Sequence, residues 1–359
     1  MNRVVPRIFP WLLWGVSFSL CCGGACFSDS YGPVRTPYIL AGEVEDPLVR
    51  LAMRGIRQNY NMDLDGAEEI FQRMIDTFPD HPSGYMCMAG LLEFRMEFED
   101  REEYQERFNE MVKSSLDACK REEKAGRKIS GLFFRGGTLG YRGYNRGRRK
   151  NYLAAVRDGQ GMAKSLRMVL KLDPFCYDAY FGLGLYEYYA SKYKSKLDFL
   201  PFIGDKREEG IEKLQVCVQR APLTAIPARA SLMWILYEEE QYEEAYGMAQ
   251  WMTENCPGYW DAYNVQGAAR RRQDRKEEAC ACYRRAIQAL EIHLPELEHE
   301  RVRFHMRLAE TLQEMDRSEE AIEEYKIVVG WSATHSKANL HRIDRMRKEA
   351  EKRILALSQ

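Results

Sequence analysis

The run Ala245-Tyr246-Gly247-Met248-Ala249-Gln250-Trp251-Met252-Thr253-Glu254-Asn255-Cys256-Pro257 decides how this chain is read. Ala245, Ala249 and Met252 stand four and then three positions apart, which puts them on one stripe of an α-helix. Pro257, five positions further on, cannot continue that helix. The same ladder returns 34 residues later as Ala279, Tyr283 and Ala286, and again as Ala321, Tyr325 and Val328. Upstream copies are Gly210, Leu214, Cys217 and Pro222, then Met162, Leu166, Val169 and Pro174, and first Ala67, Phe71, Met74 and Pro79. Each copy predicts an amphipathic helix that buries one stripe.

A partner helix is written just upstream of these ladders. Gly55 stands twelve positions before Ala67 and Gly267 twelve before Ala279, with Met233 and Ala309 at the matching places before Ala245 and Ala321. A small side chain there lets two helices approach closely. Tyr180-Phe181-Gly182-Leu183-Gly184 and Tyr263-Asn264-Val265-Gln266-Gly267 fit this first helix, each with a tyrosine four positions before a glycine.

A period near 34 residues, small residues at the helix contacts and a closing proline together resemble the tetratricopeptide repeat family, over most of residues 47 to 330. The resemblance implies an all-α fold: an α-α superhelix of paired antiparallel helices over residues 47–335, with a capping helix at 336–359 that covers the last apolar face. The pattern departs from the family in places. The ladder spacing stretches to 48 between Met162 and Gly210 and to 42 between Ala279 and Ala321, and Pro82 to Lys128 fits poorly, with a long charged helix.

Such an array buries only neighbouring faces and leaves a concave wall, built from the first helix of each pair, for a protein or peptide ligand. Carried over by the resemblance, the groove positions are Asp178, Phe181, Tyr188, Tyr189, Trp234, Tyr237, Asn264 and Arg271. Aromatic anchors with a few polar groups suit a peptide-binding surface. The lysine and asparagine clamp that some members use for a terminal carboxylate is not evident.

Residues 1–25 read as a secretory signal. Arg3 and Arg7 precede an apolar stretch from Trp11 through Cys22, shorter than a comfortable membrane span, and small residues Gly23, Gly24 and Ala25 follow. Cleavage after Ala25 would expose Cys26, as in bacterial lipoproteins, although Gly23 stands where those sites usually have leucine. Lipidation at Cys26, a conventionally cleaved form and a retained anchor all fit. Residues 26–46 then form a linker, and the expected location is the periplasm, outer membrane or wider cell envelope of a bacterium.

With 53 basic against 54 acidic residues, the net charge of −1 supplies no general pull toward nucleic acid, and none is expected as a partner. A hydrophobic fraction of 45% with 21 tyrosines is ample for a packed core. Beyond the signal, seven cysteines with irregular gaps spell no disulfide framework and read as small core residues. Cys280 and Cys282, two apart on a helix, point to different faces, so no metal is expected there.

The most unusual stretch runs from Arg135 to Lys150. Gly136, Gly140, Gly143 and Gly147 recur at helical spacing and predict a close helix contact, while Arg135, Arg142, Arg146, Arg148 and Arg149 could form a basic patch facing an acidic partner or lipid headgroups. No strand precedes it, so it is not a phosphate loop. His299-Glu300 begins like a zinc-protease motif, but Arg303 occupies the place of the second histidine. Glu97 to Glu110 and Arg270 to Lys276 read as solvated helix faces. No catalytic constellation or cofactor fingerprint emerges. The expected function is a non-enzymatic binding scaffold, with an enzyme or carbohydrate-binding factor built on a repeat frame as the alternative.

Overall fold

The computed structural model describes residues 47–98, 102–193, 204–332 and 337–358. The signal at 1–25, Cys26 and the linker to 46 lie outside the described residues. Fifteen α-helices and no strand occur among the described residues, as the all-α reading requires. They form seven consecutive pairs and a cap: α1 (Pro47–Tyr60) with α2 (Leu64–Thr77), α3 (Pro82–Phe98) with α4 (Gln105–Lys124), α5 (Lys128–Arg148) with α6 (Tyr152–Leu172), and α7 (Ala179–Lys192) with α8 (Arg207–Arg220). Then follow α9 (Ala225–Glu238) with α10 (Tyr242–Asn255), α11 (Trp260–Arg272) with α12 (Lys276–His293), α13 (Glu298–Gln313) with α14 (Ser318–Gly330), and α15 (Lys337–Leu357).

The second helix of every pair exists because of its ladder. All eighteen ladder residues in α2, α6, α8, α10, α12 and α14 are buried, while the rest of each helix is largely solvent-facing. α2, α6, α8 and α10 each end two residues before their proline, which cannot donate the next backbone hydrogen bond. In α12 the stop comes later: the helix runs to His293, two residues before Pro295, and this extra length contributes to the stretched spacing.

Pro82 to Lys128 contains the long charged helix expected there, the 20-residue α4. It divides into α3, whose Met86, Met88, Leu91 and Leu92 are almost fully buried, a tight turn at Glu102–Tyr104, and α4. α4 carries a seventh ladder, Phe108, Val112 and Ser115, all buried. A phenylalanine replaces the small first residue, a serine the bulky third, and Lys120 stands where the proline would be.

Turn chemistry is equally periodic. Met62, Glu240, Asp274 and Asp316 have φ between 56° and 63°, and each lies five residues before the first ladder position of its second helix. Lys150 turns α5 into α6 in the same way, with φ 64°. These two helices span 21 residues each against 14 for α7 and α8, about two extra turns, which displaces the ladder from its usual distance.

The helices divide into two compact units. The first takes in α1 to Asn59, α2, α3 to Met96, α4 to α8, and α9 through Leu232; within it Gly136 of α5 packs on Leu166 of α6, the close contact expected at that position, and Gly137, outside the predicted series, packs on Met86 of α3. The second takes in α9 from Met233, α10 to α15, Glu97 and Phe98 at the end of α3, and the segment Tyr60–Asp63, whose Tyr60 ring lies 5.3 Å from that of Tyr259. α15 packs on α13 and α14 and buries Ile343 and Ala350, the capping role expected for the last helix.

Candidate functional site

Most side chains assigned to the concave wall are not available to a ligand. Phe181, Tyr188 and Tyr189 are at most 2% exposed, and α7 as a whole buries ten of its 14 residues. Asp178 is buried too: its Oδ1 accepts hydrogen bonds from the backbone N–H of Leu223 (2.8 Å) and Thr224 (2.7 Å) and from the Thr224 hydroxyl (3.0 Å). It staples the start of α7 to the α8–α9 turn.

Trp234 and Asn264 are likewise structural. Trp234 Nε1 donates to Asp261 Oδ2 at 2.7 Å and Asn264 Nδ2 to Asp261 Oδ1 at 2.9 Å, while Arg307 Nη1 donates to the side-chain Oδ1 of Asn264. Burial pushes the Asp261 carboxyl above its ordinary value, against the pull of these two donors and of Arg303. Six of the eight groove assignments are therefore corrected to interior packing, because the first helices are buried on both faces rather than one.

Tyr237 and Arg271 remain partly accessible. The Tyr237 ring lies 5.9 Å from Trp234 and 5.5 Å from half-buried Tyr242, and the exposed Arg272 reaches the Tyr237 hydroxyl at 3.5 Å. Arg271 pairs with Glu310 (3.2 Å) and Glu314 (2.6 Å). Burial opposes its charge, yet these carboxylates outweigh burial and lift its pKa above the usual value. Neighbouring Arg270 is not on a solvated face. It is 6% exposed, its guanidinium lies 3.5 Å from the Tyr246 ring centroid, and it pairs with Glu243 (2.8 Å) and Glu278 (3.2 Å).

The five arginines of the α5 region do not form a free basic patch. Arg135 pairs with Glu123 at 3.0 Å, and Arg142 grips Asp158 with Nε (2.9 Å) and Nη2 (2.6 Å) while Arg146 Nη1 reaches the same carboxylate at 2.6 Å. Arg148 holds Glu93 (2.8 Å) and Glu102 (2.6 Å), and Arg149 takes the other Glu102 oxygen at 2.6 Å. Sequence alone missed the acids because they lie on α3, α4, α6 and the turn before α4. Beside these pairs opens a cavity of about 360 Å³, lined by Gln105, Asn109, Arg142, Asn145, Arg146, Arg149 and Asn151.

The seven described cysteines are buried and free. Burial raises the Cys87 and Cys119 thiols to about 12, which leaves them protonated and poorly nucleophilic. His299 lies within 3.2 Å of Glu300 and 3.3 Å of Arg342, and no group of three metal-ligating side chains gathers among the described residues.

No protein-family model and no curated protein matches the sequence. Among solved structures, the chain is similar to a MamA RS-1 ArsTM double mutant, with 11% identity, 61% of this chain and 97% of that one covered, and a TM-score of 0.39. It is also similar to the C-terminal part of a TPR repeat-containing protein from Cytophaga hutchinsonii, with 16% identity, 84% and 93% covered, and a TM-score of 0.33.

Proposed function

We propose that the protein is a non-enzymatic helical-repeat scaffold that binds a protein or peptide partner in the bacterial cell envelope. The observation that carries this reading is the surface left open where α9, α10 and α11 meet. Tyr237, Tyr242 and Arg272 lie together there, still accessible, while Trp234, Trp260 and Arg270 on the same helices are buried. Clustered tyrosine and arginine on a rigid support is the composition of an interaction hot spot, since both side chains bring large contact area and directional donors. Export through residues 1–25, with Cys26 as the lipidation candidate, would deliver the scaffold to the envelope.

The test is a pull-down with the mature protein from the envelope fraction of its own cells, repeated with Tyr237→Ala and Arg272→Glu. A stoichiometric partner whose capture falls about tenfold or more in both variants supports the reading, since a hot-spot side chain carries more than about 1 kcal/mol. Capture indifferent to both changes, or turnover of a cell-wall fragment by the purified protein, would overturn it. The mass of the mature N-terminus, compared with that of a Cys26→Ser chain, decides how the leader is processed.

A further inference from the structure

We infer that the cavity between α4, α5 and the start of α6 is a binding site for a phosphate ester. Arg142, Arg146 and Arg149 stand four and three positions apart, so their guanidiniums follow one stripe of α5 and its last turn and all three border the cavity. Asn109, Asn145, Asn151 and Gln105 complete the wall with amide groups, and no carboxylate lines it among the described residues. The acids that balance the arginines lie behind the wall or are already held: Asp158 is 3% exposed, Glu93 2%, and Glu102 is shared by Arg148 and Arg149. Among the described ion pairs here, four guanidiniums (Arg142, Arg146, Arg148, Arg149) meet three carboxylates (Asp158, Glu93, Glu102).

The ion pairs preorganise the site. Each guanidinium has five N–H donors in a rigid fork. Arg142 uses Nε and Nη2 on Asp158, leaving Nη1; Arg146 uses only Nη1 on it; and Arg149 uses Nη1 on Glu102 and Gln105. Arg142 and Arg146 are already fixed by the shared, buried Asp158, and Arg149 is held by the half-exposed Glu102, so the first two have little rotamer freedom left to lose on binding. Three separate forks along a stripe suit a group with three or more acceptor oxygens better than a carboxylate with two. α6 begins at the same cavity without a side-chain cap, and its N-terminus adds favourable potential for an anion.

A phosphate ester could reach the cavity as a soluble metabolite or as the headgroup of a phospholipid. The exposed Leu153 (69%) and half-exposed Tyr152, which directly follow the cavity-lining Asn151 in sequence, make the second source chemically reasonable. The site is independent of the proposed partner surface, which lies on other helices.

The experiment titrates the full chain with glycerol 3-phosphate by calorimetry at fixed ionic strength in chloride. In parallel it measures sedimentation with vesicles of phosphatidylcholine alone and of equal parts phosphatidylcholine and phosphatidylglycerol. Wild type is compared with Arg149→Gln and with Asn109→Asp, which adds a carboxylate at the exposed edge of the cavity without removing an ion pair. Because only differences from wild type are read, any contribution of the N-terminal residues cancels. Saturable glycerol 3-phosphate binding, weakened about tenfold in R149Q and more in N109D with unfolding midpoints unchanged, supports the site and assigns it to soluble esters. Phosphatidylglycerol-dependent sedimentation lost in the same variants, without glycerol 3-phosphate binding, supports it and assigns it to lipid. A wild-type chain that takes neither probe, or variants that take both as well as wild type does, would overturn the inference.

Discussion

Gly267 of α11 lies against the ring of Tyr283 in α12 so closely that a Cβ at Gly267 would penetrate the ring's van der Waals surface. Tyr283 is itself only 1% exposed, fixed among packed neighbours. Gly267→Ala is therefore expected to cost about 1–3 kcal/mol through overpacking, despite alanine's better helix propensity. Gly247, inside α10 with nothing within 4 Å of its would-be Cβ, is the internal control: Gly247→Ala should gain roughly 0.5–1 kcal/mol. Urea unfolding midpoints of the two variants should move in opposite directions.

The staple at Asp178 separates a structural role from a ligand-binding one. Three donors converge on its Oδ1, two of them backbone amides of the α8–α9 turn. Asp178→Ala leaves them buried and unpaired, at roughly 1–3 kcal/mol or more, whereas Asp178→Asn keeps an acceptor and should lose less. Both variants, measured below their melting range, should capture a partner as wild type does. A binding defect in D178N without a stability defect would restore Asp178 to the contact surface.

These contrasts show which parts of the molecule the sequence made legible. The ladder could be read because each second helix has a single job, to bury one stripe against its neighbours, and close packing restricts Ala67, Ala245 and Ala279 to small side chains. The copy in α4 stayed hidden because Phe108 and Ser115 exchange the usual sizes while filling the same space. The groove positions failed for a different reason. Period predicts which face of a helix packs on its own partner, but not whether the opposite face is also covered, and Tyr188 looks the same in either case. The arginine cavity was half legible: the stripe on α5 was visible, whereas Asp158 and Glu93, which set the guanidinium geometry, are brought in by folding.

Asp261 gives a pH dependence of fixed sign. Burial raises its folded-state pKa above the model-peptide value of 3.8, so between the two values the native state binds more protons than the unfolded chain. Its contribution to stability accordingly falls as pH rises through that window and is most unfavourable above the folded pKa. Asp261→Asn removes this titration. The stability difference between wild type and D261N should shift in favour of wild type as the pH is lowered from neutral into the acid range. Urea midpoints across that range check it; a difference independent of pH would mean that the carboxyl does not titrate with an elevated pKa.

Arg148 and Glu93 form an ion pair across the α3–α5 contact. Glu93 is 2% exposed, with Arg148 Nε on one oxygen at 2.8 Å and Asn145 Nδ2 on the other at 2.6 Å. Burial opposes the Arg148 charge, but Glu93 and Glu102 together outweigh it and hold the guanidinium above its ordinary pKa. Removing the cation alone strands a buried carboxylate, so Arg148→Gln is expected to destabilise by about 3–5 kcal/mol less the share that solvent screens, since Arg148 is itself 20% exposed. Glu93→Gln in the same chain removes the stranded charge while Asn145 keeps an acceptor, so the double variant should be more stable than R148Q alone. That reversal is the signature of a pair whose worth lies in compensating a buried charge, because a surface bridge would give single and double variants of nearly equal stability. Chemical unfolding of the four chains of this cycle measures it directly, and a double variant no more stable than R148Q would show that Glu93 finds its compensation elsewhere in the fold.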